Sequence, residues 1–220
     1  MSIASVRRKR LPREHRERLI LEEAVRFFSE VGFEGQTRAL AERLGVTQPL
    51  LYRYFTDKEA LIGRVFDEVY LKVWNNDWDM LLADRSRPLL ERLINFYKSY
   101  RRTMFEPQWV RIFMFAGLKG ERVNDRYFEN LQQKVIRPMC VEMRHELNLP
   151  PPSEQPIDDQ EINIAWAIHG AVFNIAVRKW ICNLQVPDDM DTLIEGTLNA
   201  FVLGSRETFR RMHAVQPSRV

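Results

Sequence analysis

Between Gln48 and Lys58 the sequence reads QPLLYRYFTDK, a run whose side chains suit holding nucleic acid better than making or breaking bonds. A glutamine amide sets a donor beside an acceptor, the pair that matches the N6 and N7 edge of adenine in the major groove. Pro49 and Leu50 offer apolar surface for a thymine methyl. The hydroxyls of Tyr52 and Tyr54 and the ammonium of Lys58 fit phosphate oxygens, which fix register without reading sequence. Arg38, in the helix before, reaches a phosphate or a guanine. No acidic side chain stands between Gln48 and Thr56.

Bond-making chemistry has thinner support. Glu142-Met143-Arg144-His145 spells Glu-x-x-His, but di-iron bundles need a second copy and further inward glutamates. The other histidines, His15, His169 and His213, have Pro12, Trp166 and Arg210 three residues earlier. Glu142 and His145 therefore read as a solvated pair on a helix. Cys140 and Cys182 form no Cys-x-x-Cys pair, which suits two core thiols in a reducing cytoplasm. HExxH, GxSxG and GxxxxGK motifs are all missing. The expectation is no enzyme, with no catalytic residue, no metal site and no cofactor.

The 220 residues carry 33 Lys/Arg against 30 Asp/Glu, with 45% hydrophobic and 29% charged side chains, a composition ordinary for a soluble globular protein. The charge is lopsided. Residues 1–64 hold thirteen Lys/Arg and nine Asp/Glu, while the rest of the chain is net −1. Within the first eighteen residues, seven Arg/Lys face only Glu14 and Glu17. Charge gathered at one end points to a polyanion. Arg7 to Arg10 suit an arm that follows phosphates or enters a minor groove. With no apolar run behind it, this stretch is not a secretory signal. The longest largely apolar stretch, Ile162 to Val177, is sixteen residues broken by Asn163, His169 and Asn174. A membrane span needs roughly 20, so no membrane partner is expected.

The elements that must position these groups are helices. No period-two strand or tight hairpin signal occurs. Leu19, Ile20, Ala24, Phe27, Phe28 and Val31 recur at helical spacing and predict a helix over 13–31, closed by Gly32. Thr37 opens a short helix that ends at Gly45. Thr47, or Gln48 with Pro49 as first helical residue, caps the next, so the proline starts a helix instead of breaking one. Two short helices meeting at Gly45-Val46-Thr47 make a helix-turn-helix pattern, with Leu40, Ala41, Leu44, Val46 and Leu51 inside. Thr56-Asp57-Lys58-Glu59 has the form of a capping box for a helix running towards Trp74.

Further on, Ser86 is the expected cap for an amphipathic helix beginning at Arg87, and PQWVRIFMFAGL is apolar on nearly every side except Arg111. A stripe of Val123, Tyr127, Leu131, Val135, Met139 and Met143 predicts a helix kinked at Pro138. Pro150 to Asp159 is a proline-rich spacer. Two long helices follow, over about 159–184 and 188–213, with aspartates favouring their starts.

SEVGFEGQTRALAERLGVTQPLLYRYFTDKEALIGRVF resembles the DNA-binding region of the tetracycline-repressor-like (TetR) transcription regulators. The resemblance runs from about Arg13 to Val73 and includes Gly45-Val46, Leu51-Tyr52, Tyr54-Phe55 and Lys58-Glu59. It implies an all-α chain: a basic arm over 1–12, a three-helix helix-turn-helix domain over 13–73, and a helical effector-binding and dimerisation domain over 74–220. It also implies a cytoplasmic homodimer on a near-palindromic duplex operator, acting as a repressor released by an effector. By motif position, the DNA-binding residues are Arg38, Thr47, Gln48, Pro49, Leu50, Tyr52, Tyr54 and Lys58. Dimerisation falls to the last two helices, where Ala167, Gly170, Ala171 and Asn174, then Leu193, Ile194, Thr197, Leu198, Phe201, Gly204 and Ser205, supply small or apolar faces. Trp109, Phe113, Trp166, His169, Phe173 and Arg178 are the candidates for holding a small apolar or aromatic effector. The competing expectation is an all-helical protein-interaction module with non-specific DNA affinity.

Overall fold

A computed structural model of the protein describes residues 12–71, 74–75, 77–119 and 125–214. The arm expected over 1–12, apart from Pro12, lies outside the described residues, as do Val73, Arg122 and Val123. Every regular element among the described residues is helical, and none is long and apolar enough to cross a membrane. The chain divides into two compact units, Met1–Lys72 and Val73–Val220.

The first unit holds α1 (Arg13–Val31), α2 (Thr37–Arg43), α3 (Gln48–Tyr52) and α4 (Lys58–Phe66), the last continuing into a π-helical turn over Asp67–Leu71. Phe27 and Phe28 of α1 start an aromatic chain through Phe33 and Phe66 to Tyr70, with ring centroids 4.3–6.3 Å apart. Gly35 passes so close to α1 that a Cβ there would lie 2.6 Å from both Phe27 and Val31, which only glycine permits. α2 and α3 bury Leu40, Ala41 and Leu51 almost completely, while Leu44 and Val46 are only half-buried.

Three capping expectations change. Gln48 is the first residue of α3 and Thr47 its N-cap, yet no backbone amide bonds to the Thr47 side chain. Pro49 has no N–H to give, and the Leu50 amide bonds the Thr47 carbonyl instead, at 2.9 Å. The cap of α4 is Asp57 in place of Thr56. Its carboxylate accepts from the Ala60 amide at 2.6 Å, and an alanine three residues on cannot complete a box. Ser86 turns to Asp84, so Pro88 stands at the N-cap of α6 (Leu89–Met104), and the first helical amide, of Leu89, is taken by Glu146 Oε2 at 2.9 Å.

The second unit comprises α5 (Asp77–Ala83), which sequence patterning does not separate, α6, α7 (Pro107–Lys119), α8 (Asp125–Leu131), α9 (Arg137–Glu146), α10 (Asp159–Trp180) and α11 (Met190–Ala214). α6 packs on α5 and α11, and α10 on α7, α9 and α11. Pro138 interrupts the helical stripe through a π-helical turn over Gln132–Ile136. Lacking an N–H, proline cannot complete the regular ladder, and the wider turn closes with the Arg137 amide on the Gln132 carbonyl. α10 ends at Trp180, earlier than expected, where the Trp180 indole donates to the Phe105 carbonyl at 2.7 Å. α11 starts only at Met190, because Asp189 spends its carboxylate on Thr192. Cys140 is buried but Cys182 is exposed, so only one of the two thiols belongs to the core.

Glu142 is not solvated. It is buried between Arg92 and Arg85, with Arg92 Nη1 at 2.8 Å and two guanidinium nitrogens of Arg85 at 2.8–3.0 Å. His145, three residues on, is exposed.

A second internal ion pair organises the proline-rich spacer. Arg144 and Glu161 have 1% and 0% side-chain exposure. The Arg144 guanidinium donates to both Glu161 oxygens and to the carbonyls of Pro150, Gln155 and Pro156. Glu161 also accepts from the Asp158 amide in a true capping box and meets His213 Nε2 at 3.2 Å. Burial pushes the Glu161 carboxyl up, but the bonds from Arg144, Asp158 and His213 outweigh it and hold it below its ordinary 4.5. A depressed carboxyl adds stability that is full above the unfolded value and is lost as pH falls through the folded one. Glu161→Gln therefore lowers unfolding stability by about 3–5 kcal/mol at neutral pH. It also flattens the acid limb below the unfolded carboxyl range; urea unfolding at neutral and acid pH measures both.

Candidate nucleic-acid interface

The α2–α3 turn closes on two backbone bonds, Val46 amide to Ala41 carbonyl at 3.0 Å and Gly45 amide to Glu42 carbonyl at 3.1 Å. This is the Schellman arrangement, which needs a left-handed residue, and Gly45 has φ 63°. Nothing lies within 4 Å of a Cβ built there, so the demand for glycine is conformational and not steric. The turn sets the first residues of α3 at its exposed end: Thr47 and Pro49 are exposed, and Gln48 and Leu50 are half-buried.

Gln48 is already engaged. Its Nε2 donates to Thr37 Oγ1 at 2.9 Å, and the same oxygen lies 2.9 Å from the Tyr52 hydroxyl. Gln48 and Tyr52 stand one turn apart on one face of α3, and both meet the first residue of α2. Thr37 itself is only 5% exposed. Sequence reading assigns it no more than the opening of a helix, yet Gln36 is the N-cap and the Thr37 hydroxyl is free to cross to α3.

The other candidates sit around this trio. Arg38 is 78% exposed and holds Glu42 through a loose 3.4 Å contact one turn along α2, a pairing of little energetic weight that an anion can displace. The Arg13 guanidinium lies 6.0 Å from the Tyr54 ring centroid, placing a cation of α1 beside that tyrosine. Lys58 is the first residue of α4, directly after Asp57.

In the second unit, five of the effector candidates join one aromatic cluster. Trp109 and Phe113 stack at 5.3 Å, Phe173 lies 5.2 Å from Phe113, and His169 links Phe173 to Trp166 at 6.5 and 5.8 Å. Trp109 and His169 are buried. Arg178 stands apart, half-buried, its Nε without a hydrogen-bond partner among the described residues. A cavity of about 580 Å³ opens at the edge of the cluster, lined by Asp125, Phe128, Glu129, Gln132, Gln133 and Trp166. Of the six candidates only Trp166 reaches it. Phe128 lies one residue off the stripe that patterning assigns to the core, which is why sequence reading passes it over.

His169 shares a hydrogen bond with the Tyr97 hydroxyl at 3.2 Å. Burial lowers its pKa from 6.5 to about 4, so the ring is neutral at neutral pH. The unfolded chain binds the extra proton first, so stability falls as pH is lowered from 6.5 towards 4. The loss amounts to roughly 3 kcal/mol. His169→Gln removes that decline, which denaturant unfolding across the same range reveals; an unchanged slope in the variant contradicts the assignment.

Comparison with known proteins places the chain. Residues 20–65 match the family model for bacterial regulatory proteins of the tetR family. The class A tetracycline repressor from transposon 1721 of Escherichia coli is 32% identical over 85 residues, covering 35% of this chain and 39% of the repressor. The class C tetracycline repressor of Escherichia coli is 50% identical over 44 residues, 20% of each chain. The chain thus aligns with less than half the length of either repressor. Among solved structures, a TetR-like transcriptional regulator from Rhodococcus sp. RHA1 superposes with a TM-score of 0.64 at 21% identity, covering 89% of this chain and all of that one. Residues 20–65 thus carry the sequence signature of the tetR family, and the fold is shared with a TetR-like regulator over most of the chain.

Proposed function

We propose that the chain is a dimeric, sequence-specific DNA-binding regulator of cytoplasmic transcription. It acts as a repressor that leaves a near-palindromic operator when a small apolar or aromatic effector binds the second unit. The observation that carries this reading is the α2–turn–α3 unit, whose left-handed Gly45 leaves the start of α3 clear for the major groove. Gln48 reads adenine and Pro49 and Leu50 meet thymine methyls. Arg38, Thr47, Tyr52, Tyr54 and Lys58 hold the backbone, and the charge imbalance of the first 64 residues adds long-range attraction.

Dimerisation uses the outer faces of α10 and α11. Ala167, Gly170 and Asn174 are exposed on α10, and Phe201, Leu203 and Gly204 on α11, with Phe201 and Leu203 at 45% and 54%. Ile194, Leu198 and Ser205 point into their own chain's core and are withdrawn from that face. The effector meets the Trp166 side of the aromatic cluster, where the cavity gives it room; Trp109, Phe113, His169 and Phe173 back that side, and Arg178 is left out of the site.

Selection from random duplex DNA with the full-length protein, at near-physiological salt, enriches an inverted repeat. Gln48→Ala relaxes preference at one base pair per half-site, by about 1–3 kcal/mol of discrimination. Lys58→Ala weakens every sequence alike and reduces the magnitude of the salt slope by about one. Retention of DNA without enrichment of any sequence would replace this reading with that of a non-specific binder.

A further inference from the structure

We propose, resting on the DNA-binding reading above, that Thr37 is a positioning residue that couples a phosphate contact at Tyr52 to base reading by Gln48. The argument is one of proton accounting. Thr37 Oγ1 lies 2.9 Å from Gln48 Nε2 and 2.9 Å from the Tyr52 oxygen, at a residue 5% exposed. A hydroxyl has one proton to give and two lone pairs. In one arrangement Gln48 occupies one lone pair and the Thr37 proton goes to Tyr52, either oxygen of that pair being able to donate. The Tyr52 proton is then left facing outward.

The trio has a second self-consistent arrangement. With the Gln48 amide turned over, Oε1 accepts from Thr37, Thr37 accepts from Tyr52, and the tyrosine has no proton left to donate outward. A phosphate oxygen only accepts, so a phosphate at Tyr52 selects the first arrangement. There Gln48 keeps its second N–H and Oε1 in a fixed order, the donor and acceptor that adenine N7 and N6 require. The second arrangement presents them in reverse. Chains of hydrogen bonds polarise one another, which strengthens the favoured direction. Through Thr37, a contact that carries no sequence information sets the orientation of one that does.

A purely structural hydrogen-bond network predicts a different outcome on mutation. The test uses full-length protein and the selected operator, comparing Kd for the operator with Kd for the operator changed at the base pair identified by Gln48→Ala. Thr37→Val keeps the shape and removes the hydroxyl. Its discrimination at that base pair falls about tenfold, close to the Gln48→Ala level, while other base pairs are read normally. Tyr52→Phe, though it touches no base, reduces discrimination at the same base pair. The double variant discriminates no worse than Thr37→Val alone, and Thr37→Ser restores the wild-type ratio.

The inference is overturned if Thr37→Val and Tyr52→Phe weaken all sequences by the same factor and leave the ratio intact. If Thr37→Val melts before it can be measured, Tyr52→Phe decides by itself. A wild-type protein that enriches no operator at all overturns the regulator reading and this inference together, an outcome separate from an operator whose discrimination ignores Thr37.

Discussion

Whatever α3 presents depends on one left-handed residue. The Schellman pair of bonds from Val46 and Gly45 back to α2 turns the chain within three residues, and it exists only because Gly45 occupies φ 63°. A residue with a Cβ there costs roughly 1–2 kcal/mol on conformational grounds alone. The turn fixes the angle at which α3 leaves α2. That angle brings Gln48 and Tyr52 to face Thr37, and it puts Leu51 inside while Pro49 stays out. The polar trio and the apolar seat are two sides of the same turn.

The second unit is built on a different constraint, which is how to keep charge indoors. Arg144 spends its donors on Glu161 and three carbonyls of the proline-rich spacer, and Arg92 and Arg85 enclose Glu142. Prolines supply no N–H, so a proline-rich segment has more carbonyls than amides to meet them and draws donors from elsewhere. One guanidinium supplies three of those needs and ties α9 to α10. Around these pairs the aromatic cluster is continuous from Trp78 through Tyr100 and His169 to Phe173.

Local features of the fold were legible in the sequence. The bounds of α1 follow from its apolar spacing and Gly32, and the α2–α3 turn from Gly45 and Pro49. Signals that need a partner far along the chain were not. Glu142 reads as a surface acid because its partner Arg92 is fifty residues away. Thr37 reads as a helix opener because its partners lie eleven and fifteen residues on, across a turn. The missed cap at Asp57 is a shift of one position, since Thr56 and Asp57 are both good caps and only the backbone decides. The sequence offered Trp109, Phe113 and Phe173 as pocket candidates, but neither their mutual stacking nor the open space beside Phe128 could be read from it.

α3 has five residues, too few to hold a helix unaided in water, where lengths below about 12–15 are marginal. Its order is therefore borrowed from the seat of Leu51 against the rest of the first unit. If the chain is the repressor proposed above, a genetic screen for lost repression gathers two kinds of lesion that look alike in the cell: changes at the proposed DNA-facing groups, and changes at buried sites such as Leu40 or Phe28. Only purified protein separates them, since the first kind keeps its melting temperature and the second does not.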